Sequence, residues 1–340
     1  MTSVLLLIAG LRNQAVGSDT YTYLMKFDDV KYYSWYQLIE NIYFGFFNPA
    51  ASDIGKDPAM AISNKIIVMF TTNHTLYLLL TSAALLIPLG IFFYRNSTSL
   101  KQLLFSYSFF IALYFNYMPC SAIRQSIALG VLLIAYMALQ EERIKQTVLL
   151  FILAILFHKS ALIVFLFFIC YKFVKSTKVY RFALFAFFFV LVFYNTVSLL
   201  LSDTGEIYSK YASGAYFAES GQSRPFVVVV LYLGFYLLGL QKLPKEKEIV
   251  SPITKLSLIG TALTTAFIPL VRMDPTLVRI SAYFVVWSCL YVSESISKYS
   301  RQLRSLIFFV CILFFVYKSL NADFDFAFFW QDMMLHSMRP

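Results

Sequence analysis

Charge is in short supply in this chain: Asp, Glu, Lys and Arg make up 14% of its 340 residues against 59% hydrophobic, and the mean hydropathy is +0.70. A surface that poor in charge excludes an ordinary water-soluble globule. Cysteine is limited to Cys120, Cys170, Cys289 and Cys311. They are widely spaced and mostly inside apolar runs, so they read as small hydrophobes and not as a disulfide frame. Histidine is scarcer, with His74, His158 and His336 at no ligand spacing, so neither a metal centre nor a cofactor is expected. The formal charge of +10 comes without a basic arm or zinc-ligand spacing, so nucleic acid is not expected as a partner.

What remains is apolar length. Uncharged runs recur at Thr75–Tyr94, Gln102–Ile123, Gln125–Gln140, Phe182–Ser202, Pro225–Gln241 and Leu256–Val271, near the length needed to cross a hydrocarbon core of about 30 Å as a helix. They lack the apolar–polar alternation of a membrane barrel. The expected fold is therefore all-α, one polytopic membrane domain over residues 1–340 with about nine spans and lipid as its main solvent. Met1–Gly10 is apolar but has no basic n-region and is too short to span, so it reads as neither a signal peptide nor a complete helix.

Lys and Arg set the expected orientation. Arg95/Lys101, Arg143/Lys145, Lys172/Lys175/Lys178/Arg181, Lys242/Lys245/Lys247 and Lys298/Arg301/Arg304 occupy alternate connections, which marks them as cytoplasmic. Residues 12–73, the Met118–Ser121 turn, the 203–224 loop, the Arg272–Arg279 turn and the tail after Asn321 then face out. Asp19, Asp28, Asp29, Glu40, Asp53 and Asp57 fall in the first of these segments, where Lys31–Phe47 reads as an interfacial helix. The scheme requires a reversal inside 146–171. Its uncharged halves, Gln146–Phe157 and Ser160–Tyr171, have 12 residues each, about 18 Å and too short for upright spans. A pair of short helices with His158-Lys159-Ser160 at the apex is expected. If the Glu141–Lys145 loop lay outside, the segment would instead be one span with a His-Lys pair at mid-depth, a costlier arrangement.

Four arginines stand at outer helix ends, where positive charge is disfavoured: Arg12, Arg124, Arg272 and Arg279. Together they ask for an anion. For Arg124 alone, snorkelling to the interface explains the position equally well, and Asp19 or Asp274 could neutralise two of the four as salt bridges. A lone histidine in an apolar run is more often structural than catalytic, yet an ionisable group at the apex of a broken helix pair favours function for His158. The outer tyrosines, among them Tyr21, Tyr23, Tyr32, Tyr33, Tyr36, Tyr208, Tyr211 and Tyr216, suit sugar faces but suit a membrane interface better.

These residues fall in an ordered pattern. Arg12 and Val16-Gly17-Ser18-Asp19 with Tyr23, then Ile123-Arg124-Gln125-Ser126-Ile127-Ala128, then Phe157-His158-Lys159-Ser160-Ala161-Leu162, then Arg279 with Tyr283-Phe284, resemble the EpsG family of bacterial exopolysaccharide polymerases, relatives of the Wzy O-antigen and capsule polymerases. The resemblance runs from residue 12 to 284 and departs at the start, where that family has a full first helix. It implies a fold related to the GT-C glycosyltransferases, in the bacterial plasma membrane with the active site facing the periplasm or exterior. The implied substrates are undecaprenyl-pyrophosphate-linked oligosaccharides, and the implied partners are membrane lipid and a chain-length regulator protein. It implies Arg124 and His158 as catalytic residues, and Arg12, Asp19, Gln125, Arg272, Arg279 and Tyr283 as substrate-binding ones. Arginine forks suit a diphosphate leaving group in a site without a metal. Asp19 shares with His158 the ability to take the acceptor proton. The competing readings are a flippase of the same lipid-linked sugars, for which internal repeats and mid-membrane charges are missing, and an O-antigen ligase.

Overall fold

A computed structural model describes residues 1–48, 52, 54–173, 178–193, 229–230, 233–234, 236–237, 252–272, 278–320 and 326–333. The expected 203–224 loop, much of the 182–202 and 225–241 runs, and Asp274 lie outside them. Helices form the described chain: α1 (Thr2–Gly10), α2 (Thr20–Val30), α3 (Trp35–Phe47), α4 (Pro58–Val68), α5 (His74–Asn96), α6 (Leu100–Phe110), α7 (Ile123–Gln140), α8 (Ile144–Phe157), α9 (Phe165–Phe173), α10 (Lys178–Val192), α11 (Pro252–Phe267), α12 (Val278–Ala282), α13 (Val285–Ser297) and α14 (Arg301–Leu320). Among the described residues the β-structure is one isolated bridge, Arg12 to Phe328.

Among the described residues, three stretches are long and apolar enough to cross a membrane: His74–Asn96, Ile123–Gln140 and Ile253–Leu270. Each coincides with an apolar run of the sequence. Shorter apolar helices accompany them at Pro58–Val68, Leu100–Phe115 and Ile144–Phe157. The helical interruption expected near His158 is present: α8 ends at Phe157, His158 is extended, and a 3₁₀ segment, Lys159–Val164, precedes α9. A second interruption was not expected. The sequence suggests an unbroken helix over Pro275–Ser293, but a tight turn in which the Phe284 amide donates to the Ser281 carbonyl (3.0 Å) separates α12 from α13.

The chain divides into two compact units, Met1–Arg95 with Ile111–Leu162 and Phe309–Pro340, and Asn96–Phe110 with Ile163–Phe308. In the first unit α7 and α8 form an antiparallel hairpin through Glu141–Arg143, where Glu142 takes φ 58°. Glu141 is met there by Arg95 and Arg143. Gly130 lets α7 approach α5 so closely that a Cβ would overlap the Ala84 carbonyl oxygen, small-residue packing typical of helices in lipid. Gly130→Val is therefore expected to cost about 1–3 kcal/mol by overpacking. A thermal unfolding curve in detergent matching wild type would refute this.

Around that pair, α4 packs against α2, α3 and α8. Phe27 of α2 stacks on Tyr77 of α5 at 4.3 Å between ring centres, and Tyr77 donates to Asn64 of α4 (3.2 Å). Helix α3 opens with a capping box between Ser34 and Gln37, which satisfies two terminal amides. It buries Leu38 and Gly45 and leaves Tyr36, Ile39, Tyr43 and Phe47 exposed. After α14 the chain returns to the loop following α1, where Asn13 donates to Ala327 (2.8 Å) and Phe329 to Leu11 (2.9 Å).

In the second unit α11 packs against α9, α10, α12 and α13, and Gly260 makes room for Trp287. Hydroxyls join the helices: Ser106 with Ser293 at 2.7 Å, and Ser288 donating to Thr264 at 2.9 Å. Such bonds act as interhelical glue where water is absent.

Candidate functional site

The α7–α8 hairpin brings two distant residues to one end. Arg124 lies in the first turn of α7 and His158 immediately follows α8, so the turn at Glu141–Arg143 at the opposite end brings them to the same end of the hairpin. Between them sits Asp57, the residue that precedes α4, with Pro58 at the first helical position. That placement follows from local chemistry, because proline at the first position and an acid before it both favour a helix start. Yet the Asp57 side chain makes no capping bond to α4. It pairs with Arg124 through Oδ2 instead, while its Oδ1 lies 3.8 Å from His158 Nδ1.

The cluster is sheltered: the Arg124 side chain is 19% exposed, and Asp57 is 7% exposed. Tyr23 of α2 completes it. Arg124 Nε donates to the Tyr23 hydroxyl at 3.2 Å, and the guanidinium lies 5.3 Å from the ring centre, a cation–π distance. A pocket opens beside them, lined by Tyr23, Lys26, Ile54, Asp57, Asn64 and Arg124 among others. Lys159, next to His158, donates to the Phe46 carbonyl of α3 at 2.6 Å. Asp57 lies outside the three candidate spans. Burial alone would raise its carboxyl, but interaction with His158 and the Arg124 charge outweigh burial and hold it below the usual carboxylate range.

Asp57 was legible in the sequence only as one outer acid among several. Its Asp-Pro context signals a helix start, and that signal points the carboxylate at backbone amides, not at an arginine 67 residues away. The other sequence-derived residues lie elsewhere. Arg12 is fully buried and donates to the Ala9 carbonyl and to Ser82 Oγ (3.3 Å), which favours the end of α1. Gln125 is buried and accepts from the Tyr117 hydroxyl at 3.2 Å. Asp19 precedes α2, half-buried.

Gly17, in the same sequence block, has φ +94° and is pressed on the Cys120 carbonyl, which Thr20 also reaches (2.8 Å). Ser18 meets Ser121 at 2.8 Å. The first family-like block thus presses on the turn just before the second, and touches the second itself through Tyr23 and Arg124. Arg272, Arg279 and Tyr283 belong to the second unit: Arg272 ends a 3₁₀ turn, Arg279 is half-buried in α12, and Tyr283 is fully buried. Among the described residues no three His, Cys, Asp or Glu side chains gather closely enough to hold a metal ion.

No curated protein and no solved structure matches the chain. The model of the EpsG family matches residues 1–335. With its apolar helices, its His158 break and a family match over nearly its whole length, the chain belongs to the EpsG family of Wzy-like exopolysaccharide polymerase-type proteins.

Proposed function

We propose that this protein is a polysaccharide polymerase that joins undecaprenyl-pyrophosphate-linked oligosaccharide repeat units at the outer leaflet of the bacterial plasma membrane, by glycosyl transfer that uses no metal. The observation that carries this reading is the convergence of Arg124 and His158 on one carboxylate, Asp57, beside a pocket. In the reaction an acceptor sugar hydroxyl attacks the anomeric carbon of the donor. The bond from that carbon to the phosphate oxygen breaks, and its electron pair leaves on the pyrophosphate. Arg124 meets the growing negative charge as a bidentate donor. His158, whose Nδ1 lies 3.8 Å from Asp57 Oδ1, takes the hydroxyl proton. Tyr23 holds the guanidinium in place.

Replacing Arg124 or His158 by alanine is expected to leave an inserted, expressed protein that accumulates single repeat units on lipid, with polymer reduced at least about 10²-fold. Gel profiles of the saccharide measure this. Normal chain lengths in both variants would sink the assignment. Polymer made by purified protein from units already presented on the outer leaflet separates this reading from a flippase. Transfer only when a lipid A acceptor is supplied would identify a ligase.

A further inference from the structure

His158 stands at a junction, an extended residue between the end of α8 and the 3₁₀ turn Lys159–Val164. Positions at the ends of elements are where a chain bends most readily, and a bend here would swing the imidazole relative to Asp57. The next side chain is fastened. Lys159 donates to the Phe46 carbonyl at 2.6 Å, and its ammonium lies 4.6 Å from the centre of the Phe46 ring. Phe46 belongs to the last turn of α3, where carbonyls lack intrahelical partners and the helix dipole favours a cation. A lysine in an apolar run, costly by itself, is thus satisfied by a helix end and an aromatic face.

Helix α3 is also seated on the segment that leads to Asp57. Ser52 Oγ donates to Asn41 Oδ1 at 2.9 Å, and Gly55 lies so close to the Asn41 carbonyl that a Cβ would overlap it. Gly45 is pressed in the same way on Ser52 and Gly55. Near the start of α3, Lys65 of α4 donates to the carbonyls of Val30 (3.2 Å) and Tyr33 (2.5 Å). One well-fixed helix therefore holds the chain on both sides of the Asp57–His158 contact. It does so through Gly55, shortly ahead of Asp57, and through Lys159, the residue after His158.

We propose that Lys159 is a positioning residue: by tying the junction after α8 to the C-terminal end of α3, it keeps His158 at Asp57. The inference rests on the polymerase reading and adds a residue to it. A general base must meet the acceptor hydroxyl at hydrogen-bond distance, and a misplacement of about 1 Å costs about 10²-fold in rate. Lys159 acts through His158 and touches neither the donor nor the acceptor.

The test uses the full chain in nanodiscs, with inorganic pyrophosphate as the probe of the Arg124 end of the site. Lys159→Met keeps the apolar stem and removes the donor. Polymer turnover on repeat units purified on their native carrier is expected to fall about 10- to 100-fold. Pyrophosphate is expected to bind within about twofold of wild type, because Arg124 keeps its place. Lys159→Arg still donates to a carbonyl and stacks on a ring, so it is expected to recover turnover to within about threefold of wild type. Wild-type turnover in Lys159→Met, or an arginine variant no better than the methionine one, overturns the proposal. Pyrophosphate binding that weakens in step with turnover also overturns it, since Lys159 would then act on the substrate or on packing in general.

Lys159→Gln, neutral and one bond shorter, covers the case in which the methionine variant does not insert. It is expected to show the same split, and wild-type turnover in it overturns the proposal too. If neither variant inserts, Lys159 is a folding residue and the positioning role falls. Failure of the underlying polymerase reading looks different: wild type makes no polymer, or His158→Ala polymerises normally, whatever the Lys159 variants do.

Discussion

Asp57→Ala is expected to lower stability by about 3–5 kcal/mol and to abolish polymer formation. The stability loss comes from Arg124, which is left as a largely buried cation without its counter-charge once the carboxylate is gone. Removing both charges repairs that fault: Asp57→Ala/Arg124→Ala is expected to recover much of the lost stability, since residues in contact couple non-additively, while still making no polymer. Unfolding in mild detergent with parallel saccharide gels separates the two effects. A single variant within about 0.5 kcal/mol of wild type, or a double variant no better than the single one, would show that the pair carries no net interaction.

The same pair has a pH dependence of fixed sign. The Asp57 carboxyl is held below its ordinary range by His158 and Arg124 acting against burial. A depressed carboxylate contributes stability that is present in full above its unfolded-state pKa of about 4 and disappears as pH falls through the folded-state value. Wild type should therefore lose part of its stability between about pH 4 and more acidic conditions, and Asp57→Asn should lose less over that interval.

Gly17→Ala is the second change with a large expected effect. At φ +94° a residue with a Cβ adds about 1–2 kcal/mol of backbone strain. The new methyl would also overlap the Cys120 carbonyl, adding about 1–3 kcal/mol of overpacking. The consequence extends beyond stability, because the turn that Gly17 touches leads directly into α7. Thr20 and Ser18 bond to the same turn. Pushing the loop away therefore shifts Tyr23 relative to Arg124, and a fall in both melting temperature and polymer yield is expected. Wild-type melting behaviour in Gly17→Ala would mean that the loop can move off the Cys120 carbonyl without loss.

Much of this was readable along the chain. The candidate spans in α5, α7 and α11 follow from length and apolarity, which are sums over neighbouring residues and need no partner. The break at His158 follows from two uncharged halves too short to cross a membrane, and Arg124 and His158 stand out because charge in an apolar run is costly. What the sequence determined by itself, then, was where the chain enters lipid and which of its ionisable groups needed explaining. Only the tertiary structure decided which of them meet. Asp57 stood in the sequence as one outer acid among several and is the counter-charge of Arg124, whereas Arg12 stood among the outer arginines that ask for an anion and is enclosed at the end of α1. The reason is physical: the pairing spans 67 residues and depends on how α4 seats on α2 and α8. That seating arises from side-chain shape and close backbone approach, which no local sum of hydropathy or charge contains.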